Sequence, residues 1–194
     1  MNTDQTGPTS RIYFSQRLRL HYVDWGNPGK PPLLLVHGGR DHCRNWDWVA
    51  QALREDWHVI CPDLRGHGRS GWLRDQTLTH ERLARDITEL MDATGTRAAH
   101  VVGSSAGAIV AMQTALRFPE RVQSLGIFAA VPGLKGDRIK QARWAERIGA
   151  KGVRGFLEET IGDRFDLAHT PRERVDWFLD TSEGIEPEFI YRWV

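Results

Sequence analysis

Two periodicities alternate along the chain. Leu18, Leu20 and Tyr22 are separated by the polar Arg19 and His21, the period-two pattern of a strand with one buried face. With the stretch from Arg11 to Gln16 before it, this predicts an antiparallel hairpin at a sheet edge. Pro31 and Pro32 introduce Leu33-Leu34-Leu35-Val36, an apolar run short enough for a strand buried on both faces. Trp46, Val49, Ala50 and Leu53 then recur at helical spacing, and Trp57 to Cys61 predicts another strand. Leu83, Ile87, Leu90 and Met91 form the apolar face of a helix that Gly95 stops. Ala98 to Val102 reads as a strand, Ile109, Met112 and Leu116 as one face of a helix, and Ser124 to Ala130 as a last strand. Strands alternating with helices predict the α/β class, with a mostly parallel, doubly wound sheet and right-handed crossovers.

From Pro132, Gly133 and Gly136 onward the strand patterns stop and charged helical stretches take over. The chain therefore divides into a core over 1–131 and a helical cap segment over 132–194. Ile139, Ala142, Trp144, Phe156-Leu157 and Trp177-Phe178 give the cap an apolar surface. At that spacing its aromatic residues read as cap core rather than as substrate contacts. Trp46 reads as packing of the first helix, with Trp48 close by as a candidate for the pocket wall. Phe189, Ile190 and Trp193 again keep helical spacing with no stop signal before Val194, so the cap is expected to be incomplete.

A chain of 194 residues with 40% hydrophobic content can bury a core and suits one domain. Lys and Arg number 26 against 25 Asp and Glu, mixed along the chain, for a net charge of +1. That balance favours neither nucleic acid nor an anionic membrane as partner. Neither a signal peptide nor a long apolar span is present, and a cytoplasmic protein is expected. Cys43 and Cys61 fit buried thiols in a reduced compartment, with a disulfide between them left open.

Between the strand ending at Val102 and the following helix lies Gly103-Ser104-Ser105-Ala106-Gly107, a GxSxG match in the strand-turn-helix context that a nucleophile elbow requires. So tight a turn needs small residues on both sides of the serine, which marks Ser105 as the nucleophile. Leu33 to Val36 runs into His37-Gly38-Gly39-Arg40, a turn able to aim an amide at an oxygen that gains charge. Gly39 N–H and Ala106 N–H, the latter at a helix start without an intrahelical acceptor, are the expected oxyanion donors. His37, Asp41, His42, Asp63 and His67 could suit a metal, but they match no close-packed ligand motif, and glycine turns account for His37 and His67. No metal site is expected. Gly66-His67-Gly68 lacks a third glycine and no Gly-Lys-Ser follows, so no cofactor is expected either. His67 and Ser70 read as braces of their loop.

From about Leu18 to its end the chain resembles the α/β-hydrolase family. His37-Gly38-Gly39 is similar to the family's oxyanion loop, and Asp63-Leu64-Arg65-Gly66-His67-Gly68-Arg69-Ser70 to the D-x-R-G-x-G-x-S turn after its fourth strand. Ser105 sits in the elbow, and Phe118-Pro119-Glu120-Arg121-Val122 closes the next helix as in the branch of esterases, C–C bond hydrolases, epoxide hydrolases, haloalkane dehalogenases and proline iminopeptidases. The resemblance implies ester, thioester, lactone, amide or C–C cleavage, because the epoxide hydrolases and dehalogenases of this type carry aspartate at the elbow. Arg40-Asp41 departs from the Pro-Gly with which proline iminopeptidases continue.

In the family the acid and then the histidine follow the nucleophile on loops beyond the cap. Only His169 follows Ser105, inside the cap segment, and it is the candidate base. Asp137 is the candidate acid, with Asp163 and Asp166 behind it. The expected function is a serine hydrolase that cleaves a small to medium carboxylic ester or related acyl substrate through an acyl-enzyme. Its activity is expected to be impaired by the absence of a positioned histidine. The alternatives are a C–C bond hydrolase and a non-catalytic ligand-binding protein. An oligomer, or a complementing chain that supplies further strands, is a possible partner.

Overall fold

The computed structural model describes residues 7–73, 78–130 and 138–182. The candidate acid Asp137, the boundary between core and cap, and the helix expected toward Val194 lie outside the described residues. The core is a six-stranded sheet in the order β1-β2-β4-β3-β5-β6. Its strands are β1 (Thr9–Ser15), β2 (Leu18–Asp24), β3 (Pro32–Val36), β4 (His58–Pro62), β5 (Ala99–Ser104) and β6 (Val122–Phe128). β2 is antiparallel to both β1 and β4, and β4, β3, β5 and β6 run parallel. The β1-β2 hairpin turns through Gln16 and Arg17, both at positive φ, the backbone twist that a two-residue hairpin loop requires.

β3 shows why its sequence is apolar throughout. Leu34 and Val36 join one core with Leu20, Ile60 and Val101, against α2 (His80–Ala93) and α3 (Ala106–Arg117). Leu33 and Leu35 join a second core with Val59, Cys61 and Trp25, against α1 (Asp47–Leu53). Leu83, Ile87, Leu90 and Met91 of α2 are all buried in the first core, as their spacing predicts. Inside it, Arg65 forms a bidentate ion pair with Asp86, both bonds 2.7 Å, and Ser15 Oγ donates to the same carboxylate. This pair ties the loop after β4 to α2 and β1.

Three readings of the sequence need correction. α3 turns Gly107, Val110, Ala111 and Thr114 inward, whereas the predicted face is half-buried at Ile109 and Met112 and 75% exposed at Leu116. Close packing of this helix on the sheet selects small side chains, so its bulkiest apolar stripe is not its buried one. β6 lies two residues earlier than the pattern predicts, and Leu125, Ile127 and Phe128 are exposed. His21 is buried rather than solvent-facing, because β2 is an interior strand and Asp63 accepts its ring N–H.

The cap segment contains α4 (Arg138–Glu159), kinked at Gly152, and α5 (Arg172–Thr181). They bury a core of their own around Ile148, Phe156, Leu157, Val175, Phe178 and Leu179, so Phe156 and Phe178 are cap core. Trp48 stands edge-on to Trp177 with ring centres 4.8 Å apart. Cys43 and Cys61 are free thiols, both buried. Among the described residues no helix is long and apolar enough to cross a membrane.

Candidate active site

β5 ends at Ser104 and α3 begins at Ala106, so the turn between them is the single residue Ser105, at φ 51° and ψ −118°. An L-residue held there costs about 1–3 kcal/mol and persists only where its surroundings over-determine it. Close packing does so here. A Cβ at Gly103 would overlap the carbonyl of Gly107, and one at Gly107 would overlap the backbone oxygens of Val36 and His37. The Ser105 amide donates to the Phe128 carbonyl at 2.9 Å, and the Ser105 carbonyl accepts from Ala108 N–H at 3.0 Å. The residue is exposed and its side chain caps no amide of α3.

The turn after β3 abuts this corner. A Cβ built on Gly38 would lie 3.3 Å from that of Ser105, and one on Gly39 would lie 3.6 Å from that of Ala106. The structure thus brings together Ser105, Ala106 and Gly39, with the helix start and the glycine turn on either side of the serine. Such a corner can present a hydroxyl to a carbonyl carbon beside amide donors for the oxygen.

Histidines wire the glycine turn in place. His37 donates from Nδ1 to the Gly38 carbonyl at 2.7 Å and accepts from Leu64 N–H at Nε2 at 2.9 Å. His67 donates to the Arg65 carbonyl at 3.2 Å and accepts from Arg40 N–H at 3.1 Å. His42 accepts from Arg44 N–H and donates to Thr181 Oγ1 at 2.9 Å. Burial pushes these imidazoles down, His37 and His42 to about 4 and His67 to about 3, so all three stay neutral at pH 7. Both nitrogens of each ring are spent, and none is left to take a proton from Ser105.

Asp63 anchors the loop after β4. Its carboxylate accepts from His21 Nδ1 at 2.7 Å, Cys43 N–H at 2.7 Å and Arg69 N–H at 2.9 Å. Burial would raise its pKa. The His21 bond and the two amides outweigh that and hold the carboxyl well below the usual carboxylate range. Ser70 Oγ donates to the Asp63 carbonyl at 2.7 Å and accepts from His21 N–H at 2.9 Å, so Ser70, like His67, braces its loop. Among the described residues His21, Cys43 and Asp63 place ligand-type atoms within 4.8 Å of one another. They make a poor metal set: His21 and Asp63 are bonded to each other, and burial pushes the Cys43 thiol far up, away from the thiolate that a metal needs.

His169 and Ser105 are not brought together. The histidine sits on an exposed turn of the cap with its side chain 83% exposed, and its Nδ1 donates to Asp166 Oδ2 at 2.8 Å. Asp163 is also exposed. Other contacts between the core and the later helices went unread in the sequence, two of them at Arg40 and Asp41. Arg164 Nη1 pairs with Asp41 Oδ1 at 2.9 Å, and the Arg40 guanidinium stacks 4.4 Å above the Trp144 ring. Both join residues more than 100 positions apart, beyond the reach of any local pattern.

A sequence model of the alpha/beta hydrolase fold matches residues 31–151. Lipase LipV of Mycobacterium tuberculosis is 34% identical over 122 residues, covering 63% of this chain and 46% of that protein. Epoxide hydrolase A of the same organism is 33% identical over 136 residues, covering 68% and 41%. The chain thus spans under half the length of these two relatives. The crystal structure of a hydrolase from Pseudomonas aeruginosa PA01 superposes with a TM-score of 0.76 at 27% identity, covering 98% of this chain and 71% of that one. A carboxylesterase structure from Nitrososphaera gargenis gives a TM-score of 0.80 at 22% identity, over 94% and 70%, a likeness of fold.

Proposed function

The chain belongs to the α/β-hydrolase fold family, and from that premise we propose that it is a serine hydrolase acting on a small to medium carboxylic ester or related acyl substrate. Ser105 Oγ attacks the carbonyl carbon, the amides of Gly39 and Ala106 hold the oxyanion, and collapse releases the alcohol and leaves an acyl-enzyme. One observation carries this reading: a strained, exposed serine packed against the Gly38-Gly39 turn. The residue type adds to it, since the family resemblance implies aspartate, not serine, at the elbow of epoxide hydrolases of this type.

The reading includes a deficit. His37, His42 and His67 are spent on the backbone and on Thr181, and His169 is engaged by Asp166 on an exposed turn. Ser105 therefore has no base among these four histidines, and loss of a triad member leaves only the residual catalysis of the oxyanion hole and binding. No cofactor takes part. The buried free thiols of Cys43 and Cys61 support a reducing, cytoplasmic location.

A fluorophosphonate probe with peptide mapping tests the assignment. Slow labelling at Ser105, lost in Ser105→Ala, is expected, together with aryl ester turnover far below that of a complete triad. A folded chain whose Ser105 stays unlabelled overturns it.

A further inference from the structure

A second serine, on the opposite side of the sheet order from β6, has what Ser105 lacks. Ser10 lies on the edge strand β1. His21, on β2, is the cross-strand partner of Ile12, so Ser10 and His21 are diagonal neighbours on one face. Ser10 Oγ is 2.7 Å from His21 Nε2, and His21 Nδ1 is 2.7 Å from Asp63 Oδ2.

The direction of these bonds follows from the acid. An ionised carboxylate only accepts, and Asp63 is held ionised by its bonds, so the imidazole proton sits on Nδ1. Nε2 is then an acceptor, and the Ser10 hydroxyl donates to it. Arg69 Nη1 stands 3.3 Å from the same oxygen. A cavity of about 330 Å³ opens there, lined by Ser10, His21, Asp63, His42, Arg69 and Thr181 among others, a size that suits a small ligand. Ser10 is exposed while His21 and Asp63 are buried, so the reactive end of the relay faces outward and its support does not.

From this geometry we propose that Ser10 is a second acyl-accepting nucleophile, with His21 as its base and Asp63 as the residue that positions the imidazole. Its substrate class is a small activated carboxylic ester. Ser10 Oγ bonds to the carbonyl carbon while its proton passes to His21 Nε2, and the Arg69 guanidinium faces the developing negative charge. Collapse breaks the ester bond and the leaving oxygen takes the proton from Nε2. An acyl group stays on Ser10, with water as the later acceptor through the same base. The relay shares no residue with the Ser105 corner and stands or falls separately from it.

Peptide mapping after fluorophosphonate treatment of the full chain tests the proposal. Ser10 is expected to be labelled in the unchanged chain and in Ser105→Ala. Ser10→Ala, an exposed change on an edge strand, should remove that label and leave the one at Ser105 as before. His21→Gln should slow labelling at Ser10 at least tenfold without slowing Ser105. Absence of label on Ser10 in the unchanged chain overturns the proposal, as does equal labelling of Ser10 in a His21→Gln chain whose Ser105 still reacts. If His21→Gln fails to fold, the first comparison still decides.

Discussion

The two flanks of Ser105 are built differently. On the β3-β4 flank three buried polar side chains are fully engaged: His37 holds Leu64 and Gly38, His67 holds Arg40 and Arg65, and Asp63 holds Cys43, Arg69 and His21. On the β6 flank the strand shows Leu125, Ile127 and Phe128 to solvent, Phe128 at 58% exposure, beside the exposed Leu116 of α3. The difference separates two parts of one apparatus. In the proposed mechanism, the half that holds an oxyanion is fixed by close backbone packing and hydrogen bonds within the core. The half that takes a proton has no counterpart among the described residues of the other flank.

The blow that costs the wired flank both stability and labelling is a side chain where backbones touch. Gly107→Val drives atoms into the carbonyls of Val36 and His37, and should cost about 3 kcal/mol or more in urea unfolding. Labelling at Ser105 should disappear with it. A loss below about 1 kcal/mol would mean that the corner yields, and that the packing does not hold Ser105 in its strained backbone.

Next comes the buried pair beneath the loop. Arg65→Met leaves the Asp86 carboxylate buried without its guanidinium and should cost about 3–5 kcal/mol. Arg65→Met combined with Asp86→Leu should recover a substantial part of that in the same measurement.

Acid should weaken the wired flank before the bare one. His37, His42 and His67 have folded-state pKa values of about 4, 4 and 3, below the unfolded value of about 6.5. Between those limits the unfolded chain binds more protons, so stability is full above about pH 6.5 and falls as pH drops toward 4. Asp63 adds to the loss below about pH 4, where its unfolded carboxyl protonates first. Each histidine contributes up to about 1.4 kcal/mol per pH unit, and the urea midpoint should fall steadily from pH 7 to pH 5. A flat midpoint over that range would show that the rings are not held neutral.

The smallest effect belongs to the bare flank. Phe128→Ser should change stability by no more than about 0.5 kcal/mol, as for other exposed positions, while reducing the binding of a hydrophobic dye. A large destabilisation would show that this flank is packed in solution and would erase the contrast.

Much of this was legible in the sequence because it is local. The elbow, the glycine turn and the periodic faces of β3 and α2 are written in residues within a few positions of one another. The buried face of α3 was not. Hydrophobic spacing picks out the bulkiest stripe, whereas a helix pressed against a sheet turns its smallest residues inward. His21 escaped for a related reason: on an alternating strand a polar residue reads as solvent-facing, and only the fold brings Asp63 to its ring. Asp41 and Arg164, 123 positions apart, carry no local signal at all.

That last pair has a mechanical consequence. Asp41 sits two residues beyond Gly39, and Arg164 belongs to the segment between α4 and α5, so this pair ties the later helices to the glycine turn after β3. Any displacement of those helices from the core strains or breaks a half-buried ionic link, and the tension falls on the turn that contains Gly39. Dissolved salt, by screening this link, loosens the later helices and the glycine turn together.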